Sequence, residues 1–152
     1  MNPPVIRPLE QKHRDAWLRL WRGYQAHYEA DLPAETTTLT WQRFHDPAVP
    51  VHVLGAFDGP GDDSSLIGIV HYLFHYSCWT TGPYCYLQDL YVDAPCRGSG
   101  AGRALIEAVC DAARANGSDR VYWLTQQTNT RAMALYDQVA VKTGFLQYRR
   151  ML

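Results

Sequence analysis

The run Asp93-Ala94-Pro95-Cys96-Arg97-Gly98-Ser99-Gly100-Ala101-Gly102-Arg103 has the composition of an anion cradle. Three glycines in five positions let a backbone turn tightly and approach a ligand closely. Amides left unpaired at a helix start point outward, and the helix dipole adds about half a positive charge there. Such a site suits phosphate or pyrophosphate, and Arg97 and Arg103 bracket it with cationic forks. Other phosphate loops fit poorly. A P-loop needs Gly-Lys-Ser/Thr, and no lysine stands here. The fingerprint Gly-x-Gly-x-x-Gly fails because the sixth position from Gly98 is Arg103 and from Gly100 is Leu105. A plain tight turn into a helix is the structural alternative.

Other chemistry-bearing residues lie on either side of that loop. Asp89, next to Gln88 in an apolar stretch, suits a cationic amine or a buried structural role. Tyr136 shares a helical face with Ala132, Leu135 and Val139, so by spacing alone it reads as a core aromatic. His71 and His75 fall on one side of one strand, roughly 13 Å apart at about 3.3 Å per residue. That is too far to share a metal without other ligands. Both read as hydrogen-bonded strand histidines, with His75 available as a proton acceptor. His27, Tyr28, Glu29 and Asp31 read as a solvated helix end. The four cysteines, Cys78, Cys85, Cys96 and Cys110, form no Cys-x-x-Cys pair. They read as reduced, mostly buried thiols of a cytoplasmic protein. Cys96, beside the glycines, is the one candidate nucleophile. No metal site is expected.

Positioning these residues requires the following elements. Residues 5–9 predict a strand, and residues 11–28 a helix with Trp17, Trp21, Tyr24 and Tyr28 as its core stripe. Pro33 is expected to stop it, and a short helix is expected over 41–45. Residues 51–57, 66–77 and 84–92 predict strands joined by turn chemistry, hence an antiparallel meander. An amphipathic helix is expected over 101–115, stopped by Asn116-Gly117. A strand over 120–125, a helix over 132–139 and a closing strand over 145–151 complete the order. Strand, helix, strand requires crossovers and some parallel pairing. The expectation is one α/β (α+β) domain over residues 1–152, with a mixed, mostly antiparallel sheet and about four helices.

Composition narrows the function classes. Hydrophobic residues make up 47% and charged residues 19%, which fits a folded core and excludes disorder. A net charge of −1 without basic blocks argues against a nucleic-acid binder. The longest apolar stretch is far short of the roughly 20 residues a membrane span takes. No membrane partner and no secretory leader are expected.

Residues 97–102 match the Arg/Gln-x-x-Gly-x-Gly/Ala signature, and the chain thereby resembles the GNAT acetyltransferase superfamily. The preceding strand Tyr86-Leu87-Gln88-Asp89-Leu90-Tyr91-Val92 and the following Ala104-Leu105-Ile106 fit its context. Asn129-x-x-Ala132-x-x-x-Tyr136 resembles the family's fourth-helix motif, and Gly144-Phe145 the pair that opens its terminal strand. The residue-level match covers about residues 87–145. Within the superfamily, the strand resembles the Leu-Glu-Asp strand of polyamine and diamine acetyltransferases, and of the histone/polyamine branch. Here Gln88 replaces the glutamate, and glutamine cannot act as a base.

The resemblance implies acetyl-CoA as co-substrate and a sheet splayed between the 84–92 and 120–125 strands. Pantetheine would border Leu90, Tyr91 and Val92. The pyrophosphate would rest on Arg97, Gly98, Ser99, Gly100, Ala101, Gly102 and Arg103, and Asn129 would orient the pantetheine arm. Tyr136 matches the tyrosine that donates to the leaving thiolate, while an amide near Leu90 or Tyr91 would meet the oxyanion. Asp89 is the candidate for binding a cationic amine. The implied reaction is acetyl transfer to a primary amine of a small molecule of polyamine, diamine or amino-acid type. Acetylation of protein lysines or N-terminal amines is one alternative. A non-catalytic acyl-CoA-binding module is another, disfavoured by the retention of Asn129 and Tyr136. A homodimer through the terminal strand is a further implication.

Overall fold

The computed structural model describes residues 2–152. Five strands run in the order β1 (Val5–Pro8), β2 (Val51–Phe57), β3 (Leu66–His75), β4 (Tyr84–Val92) and β5 (Val121–Tyr122). The first four pair antiparallel as the alternating meander requires, and β5 joins β4 in parallel. The four helices are α1 (Arg14–His27), α2 (Ala34–Phe44), α3 (Ala101–Ala115) and α4 (Thr130–Val139). The mixed, mostly antiparallel sheet with four helices is therefore as the sequence predicts.

Each face of the sheet carries its own core. On one face α1 and α2 bury Trp17, Leu20, Trp21 and Trp41 against Val53, Phe57, Leu66 and Ile69. On the other, α3 buries Leu105, Ile106, Val109 and Ala113 against Val70, Tyr72, Cys85 and Leu87, and α4 adds Leu135, Tyr136 and Val139. The predicted stripe of α1 runs from core to water: Trp17 is fully buried, Tyr24 half-buried and Tyr28 exposed. Gly23 permits this packing, because a Cβ there would stand 2.7 Å from the Tyr91 hydroxyl.

Four element expectations are corrected. Helix α1 ends at His27, not at Pro33, because Gln25 caps the following loop through its carbonyls, accepting from the amides of Ala30 and Leu32. Pro33 instead opens α2, which starts at Ala34 rather than at Trp41. Its threonines lower intrinsic helix propensity. The burial of Thr37 and Trp41, four residues apart, outweighs that. The strand expected over 120–125 is reduced to Val121–Tyr122. The closing strand expected over 145–151 does not form: residues 141–152 are exposed and lack a strand partner among the described residues.

Parallel pairing of β4 with β5 covers only Cys85–Val121 and Tyr86–Tyr122. Beyond Tyr86 the β4 edge is open. On its other edge β4 carries a bulge: Asp89 stands opposite His71 and Leu87 opposite Tyr72, so Gln88 is the extra residue, and its side chain is exposed.

Candidate active site

The glycine loop sits where β4 gives way to α3. Asp93 caps a single 3-10 turn, Ala94–Cys96, its side chain accepting from the Ala94 amide. The chain then takes left-handed conformations at Gly98 (φ 81°) and Gly100 (φ 87°), which a side chain at either position would strain. Gly100 is the N-cap of α3, and its carbonyl accepts from the Ala104 amide. The Arg97 amide is bonded to Ala94 O at 3.3 Å. Among the described residues, the amides of Gly98, Ser99, Gly100, Ala101, Gly102 and Arg103 meet no protein acceptor. The Ser99 hydroxyl is buried and likewise unpartnered. An open depression of about 460 Å³ lies against Arg97, Gly98 and Ser99, closed on its far side by Asn2, Pro3 and Pro4.

The two arginines are less free than the amides. Arg97 donates from Nε to Val92 O at 3.2 Å and lies over the Tyr91 ring. Arg103 bonds Gln138 of α4. Anion-binding capacity in this loop therefore resides chiefly in main-chain nitrogens.

The strand geometry decides which peptide groups border the cleft. The Asp93 amide bonds Ile67 O, which makes alternate residues of β4 face β3. In that register Tyr91 and Asp89 turn their peptides to β3, while Leu90 and Val92 turn theirs to the open edge. Of the three residues expected along the pantetheine arm, Leu90 and Val92 thus present main-chain groups, and the Val92 carbonyl is engaged by Arg97.

Tyr136 stands across the opening on α4. Its ring packs edge-on against Trp123 at 5.4 Å. Burial first, and then the nearby Tyr28 hydroxyl, raise its pKa above the ordinary tyrosine value, so the phenol keeps its proton. Asn129 caps α4, its side-chain oxygen accepting from the Ala132 amide at 3.4 Å.

On the α1 face, His71 Nδ1 lies 3.0 Å from Asp89 Oδ2, and Trp17 Nε1 donates to His71 Nε2 at 3.0 Å. Tyr24 faces the same carboxylate. Burial, then the Asp89 charge, then Tyr28 and hydrogen bonding to both raise its pKa far above that of an ordinary phenol. Tyr28 is a neighbour of both Tyr24 and Tyr136, so the end of α1 links the Asp89 side to the α4 side. His75 does not join this group: it bonds Tyr122 at 2.7 Å and the Tyr76 carbonyl. Cys96 packs against the α3 core from the 3-10 turn. Burial pushes Cys85 up to about 12, the nearby Cys110 adding to it, which leaves it an inert thiol.

Two participants escape the sequence reading, Trp17 as a donor and Tyr24 as a carboxylate partner. The sequence carries signals for a polar cluster here, though neither names these two partners. A histidine within the apolar run of β3 needs a buried partner. Two successive polar residues in β4, Gln88 and Asp89, break period two and mark a bulge.

A mixed sheet, open beyond Tyr86, with unpaired amides at the β4–α3 junction suits an anionic ligand such as a nucleotide thioester. The chain belongs to the acetyltransferase (GNAT) family, whose model matches residues 14–140. It is an N-acetyltransferase. The D-amino-acid N-acetyltransferase HPA3 of Saccharomyces cerevisiae is 40% identical over 146 residues, covering 96% of this chain and 89% of that protein. The thialysine N-epsilon-acetyltransferase of Caenorhabditis elegans is 35% identical over 79 residues, about half of each chain (52% and 48%). In fold, the chain resembles AAC(6')-Iy in complex with the bisubstrate analog CoA-S-monomethyl-acetylneamine: TM-score 0.82, 17% identity, 99% of each chain covered.

Proposed function

We propose that the chain moves the acetyl group of acetyl-CoA to the primary amine of a small, positively charged acceptor of amino-acid or diamine type. One observation carries the reading: unpaired amides from Gly98 to Arg103 and the protonated Tyr136 flank one open strand edge. The amides and the buried Ser99 hydroxyl would hold the pyrophosphate. The Leu90 and Val92 peptides would receive the pantetheine arm as an added strand. Asn129, at the start of α4, would orient that arm.

Acetyl-CoA supplies a thioester already activated for transfer. The Leu90 amide, which faces the open edge, would stabilise negative charge on the carbonyl oxygen. An alkyl amine has a pKa near ~10.4 and arrives as an ammonium ion, which Asp89 would bind. Tyr136 would donate to the departing thiolate, whose thiol has a pKa near ~8.5. Gln88, exposed on the bulge, cannot take the amine proton, so water in the open cleft would accept it. Identity with the D-amino-acid and thialysine acetyltransferases supports a small amine over a protein lysine.

The remaining readings concern setting. Four free cysteines suit a reducing compartment, the cytoplasm. No helix among the described residues is long and apolar enough to cross a membrane. A net charge of −1 gives no footprint for nucleic acid. The exposed Val141, Phe145, Leu146, Tyr148 and Met151 favour burial of the terminal segment against a second copy, as a homodimer.

The test is thiol release from acetyl-CoA with a panel of D- and L-amino acids, diamines and lysine peptides. Turnover with small amines and not with peptides supports the reading. Turnover only with peptides overturns it. Sedimentation across a concentration range checks the dimer.

A further inference from the structure

Trp17, His71 and Asp89 form a hydrogen-bonded line through α1, β3 and β4. An indole N–H can only donate. The Nε2 atom of His71 must therefore offer its lone pair to Trp17, which leaves the imidazole's one proton on Nδ1, directed at Asp89. A doubly protonated ring would set two N–H groups against each other at Nε2. Water cannot relieve that clash, since His71 is 4% exposed and covered by Trp17, Trp21 and Phe44.

The consequence falls on Asp89. Its hydrogen-bond partner is a neutral donor, the Nδ1–H of His71, and the Tyr24 hydroxyl, which burial and the Asp89 charge keep protonated, lies close by. Among the described residues, no lysine or arginine pairs with it. A mostly buried carboxylate bonded only to neutral donors keeps its whole negative charge. That charge costs stability until a cation compensates it.

We propose that Trp17 and His71 are positioning residues that lock Asp89 as a fixed anion, and thereby make the acceptor site selective for an ammonium group. The proposal deepens the acetyltransferase reading and rests on Asp89 facing the acceptor. It also assigns His71 a role distinct from catalysis: its one lone pair is spent on Trp17, so it cannot collect the amine proton.

The first test is nitrogen NMR of histidine-labelled protein at neutral pH. The expected His71 signals are a protonated Nδ1 and a bare Nε2. A protonated Nε2 overturns the proposal. The second test removes the lock. In Trp17→Phe, Nε2 loses its fixed donor, so nothing holds the ring in the tautomer that donates to Asp89. The KM of a diamine should rise about tenfold, in line with loss of a charged hydrogen bond. The KM for acetyl-CoA should not move. A merely structural role would shift both, and that result overturns the proposal. His71→Asn keeps a donor for Asp89, whereas His71→Val does not. The valine variant should carry the higher diamine KM, and equal values overturn the assignment even if Trp17→Phe fails to fold. Absence of any amine acetylation would instead count against the function, since the NMR outcome does not depend on turnover.

Discussion

The two sides of the cleft are built from different materials. The α3 side is main chain: amides of residues 98–103, shaped by left-handed glycines, with both flanking arginines spent on protein partners. The α1 side is side chain: Trp17, His71 and Asp89, contributed by three elements and joined in one hydrogen-bonded line, with Tyr24 beside the carboxylate. On the proposed reading, the backbone cradle would recognise a group common to every coenzyme A thioester. A side-chain network can be altered residue by residue without disturbing that cradle. Such a division would let one fold keep its donor and change its acceptor.

The largest expected effect falls on the residue facing both sides. Tyr136→Phe removes the proton donor and should lower kcat by roughly 10²–10⁴-fold, the usual range for a general acid. Acetyl-CoA affinity should stay near the native value, measured by calorimetry. Because burial raises the Tyr136 pKa, its protonated form persists as pH rises past ~10, the ordinary tyrosine value. The wild-type kcat profile should therefore show no alkaline fall from this group below that pH. A fall beginning near neutrality would remove Tyr136 from the donor role.

Next comes the main-chain side. Gly100→Val places a β-branched side chain at φ 87° and covers the amides. The strain alone is about 1–3 kcal/mol. Acetyl-CoA binding should weaken by at least tenfold, by calorimetry. Gly102→Ala should do far less, since its Cβ would meet the Leu135 methyl at 3.4 Å and the Val92 methyl at 4.0 Å, both ordinary contacts. Equal losses in the two variants would show that glycine conformation is not what forms the cradle.

The side-chain network should respond in the other substrate. Asp89→Asn keeps shape but removes charge, and should raise the amine KM by about tenfold or more, the worth of a charged hydrogen bond. Acetyl-CoA affinity should be unaffected. If the coenzyme A constant moves instead, Asp89 belongs to the wrong side of the comparison.

The same division explains what could be read in advance. Glycines at positions 98 and 100 encode their own backbone conformation, so the cradle and α3 are legible locally. Strands β2 and β4 are legible too, because aromatic and branched residues in their pattern leave few alternatives. The Trp17–His71–Asp89 line is not local. It depends on α1 crossing β3 at one height and on the Gln88 bulge setting Asp89 opposite His71. Asp89 was nameable as a carboxylate, but its partners were not. The terminal segment failed for the opposite reason: the pattern of Phe145, Leu146 and Tyr148 suits a strand, yet a strand forms only where an edge receives it.

The smallest effect separates amides from arginines within the cradle itself. Arg97 carries the formal charge nearest the loop, and a charge-based site would depend on it heavily. In the structure its Nε is committed to Val92 O, and its guanidinium lies 5.7 Å from the Tyr91 ring centre. What it adds to a pyrophosphate is an exposed, solvent-screened attraction, of the kind worth about 0–1 kcal/mol. Arg97→Ala should therefore weaken acetyl-CoA binding by no more than roughly fivefold, with most of that loss vanishing at high salt. Removing the arginine also frees the Val92 carbonyl at the open edge, which partly offsets the loss by offering the pantetheine arm another acceptor. A collapse in affinity matching Gly100→Val would mean that the side chain, and not the backbone, grips the diphosphate. The two sides of the cleft would then be built alike.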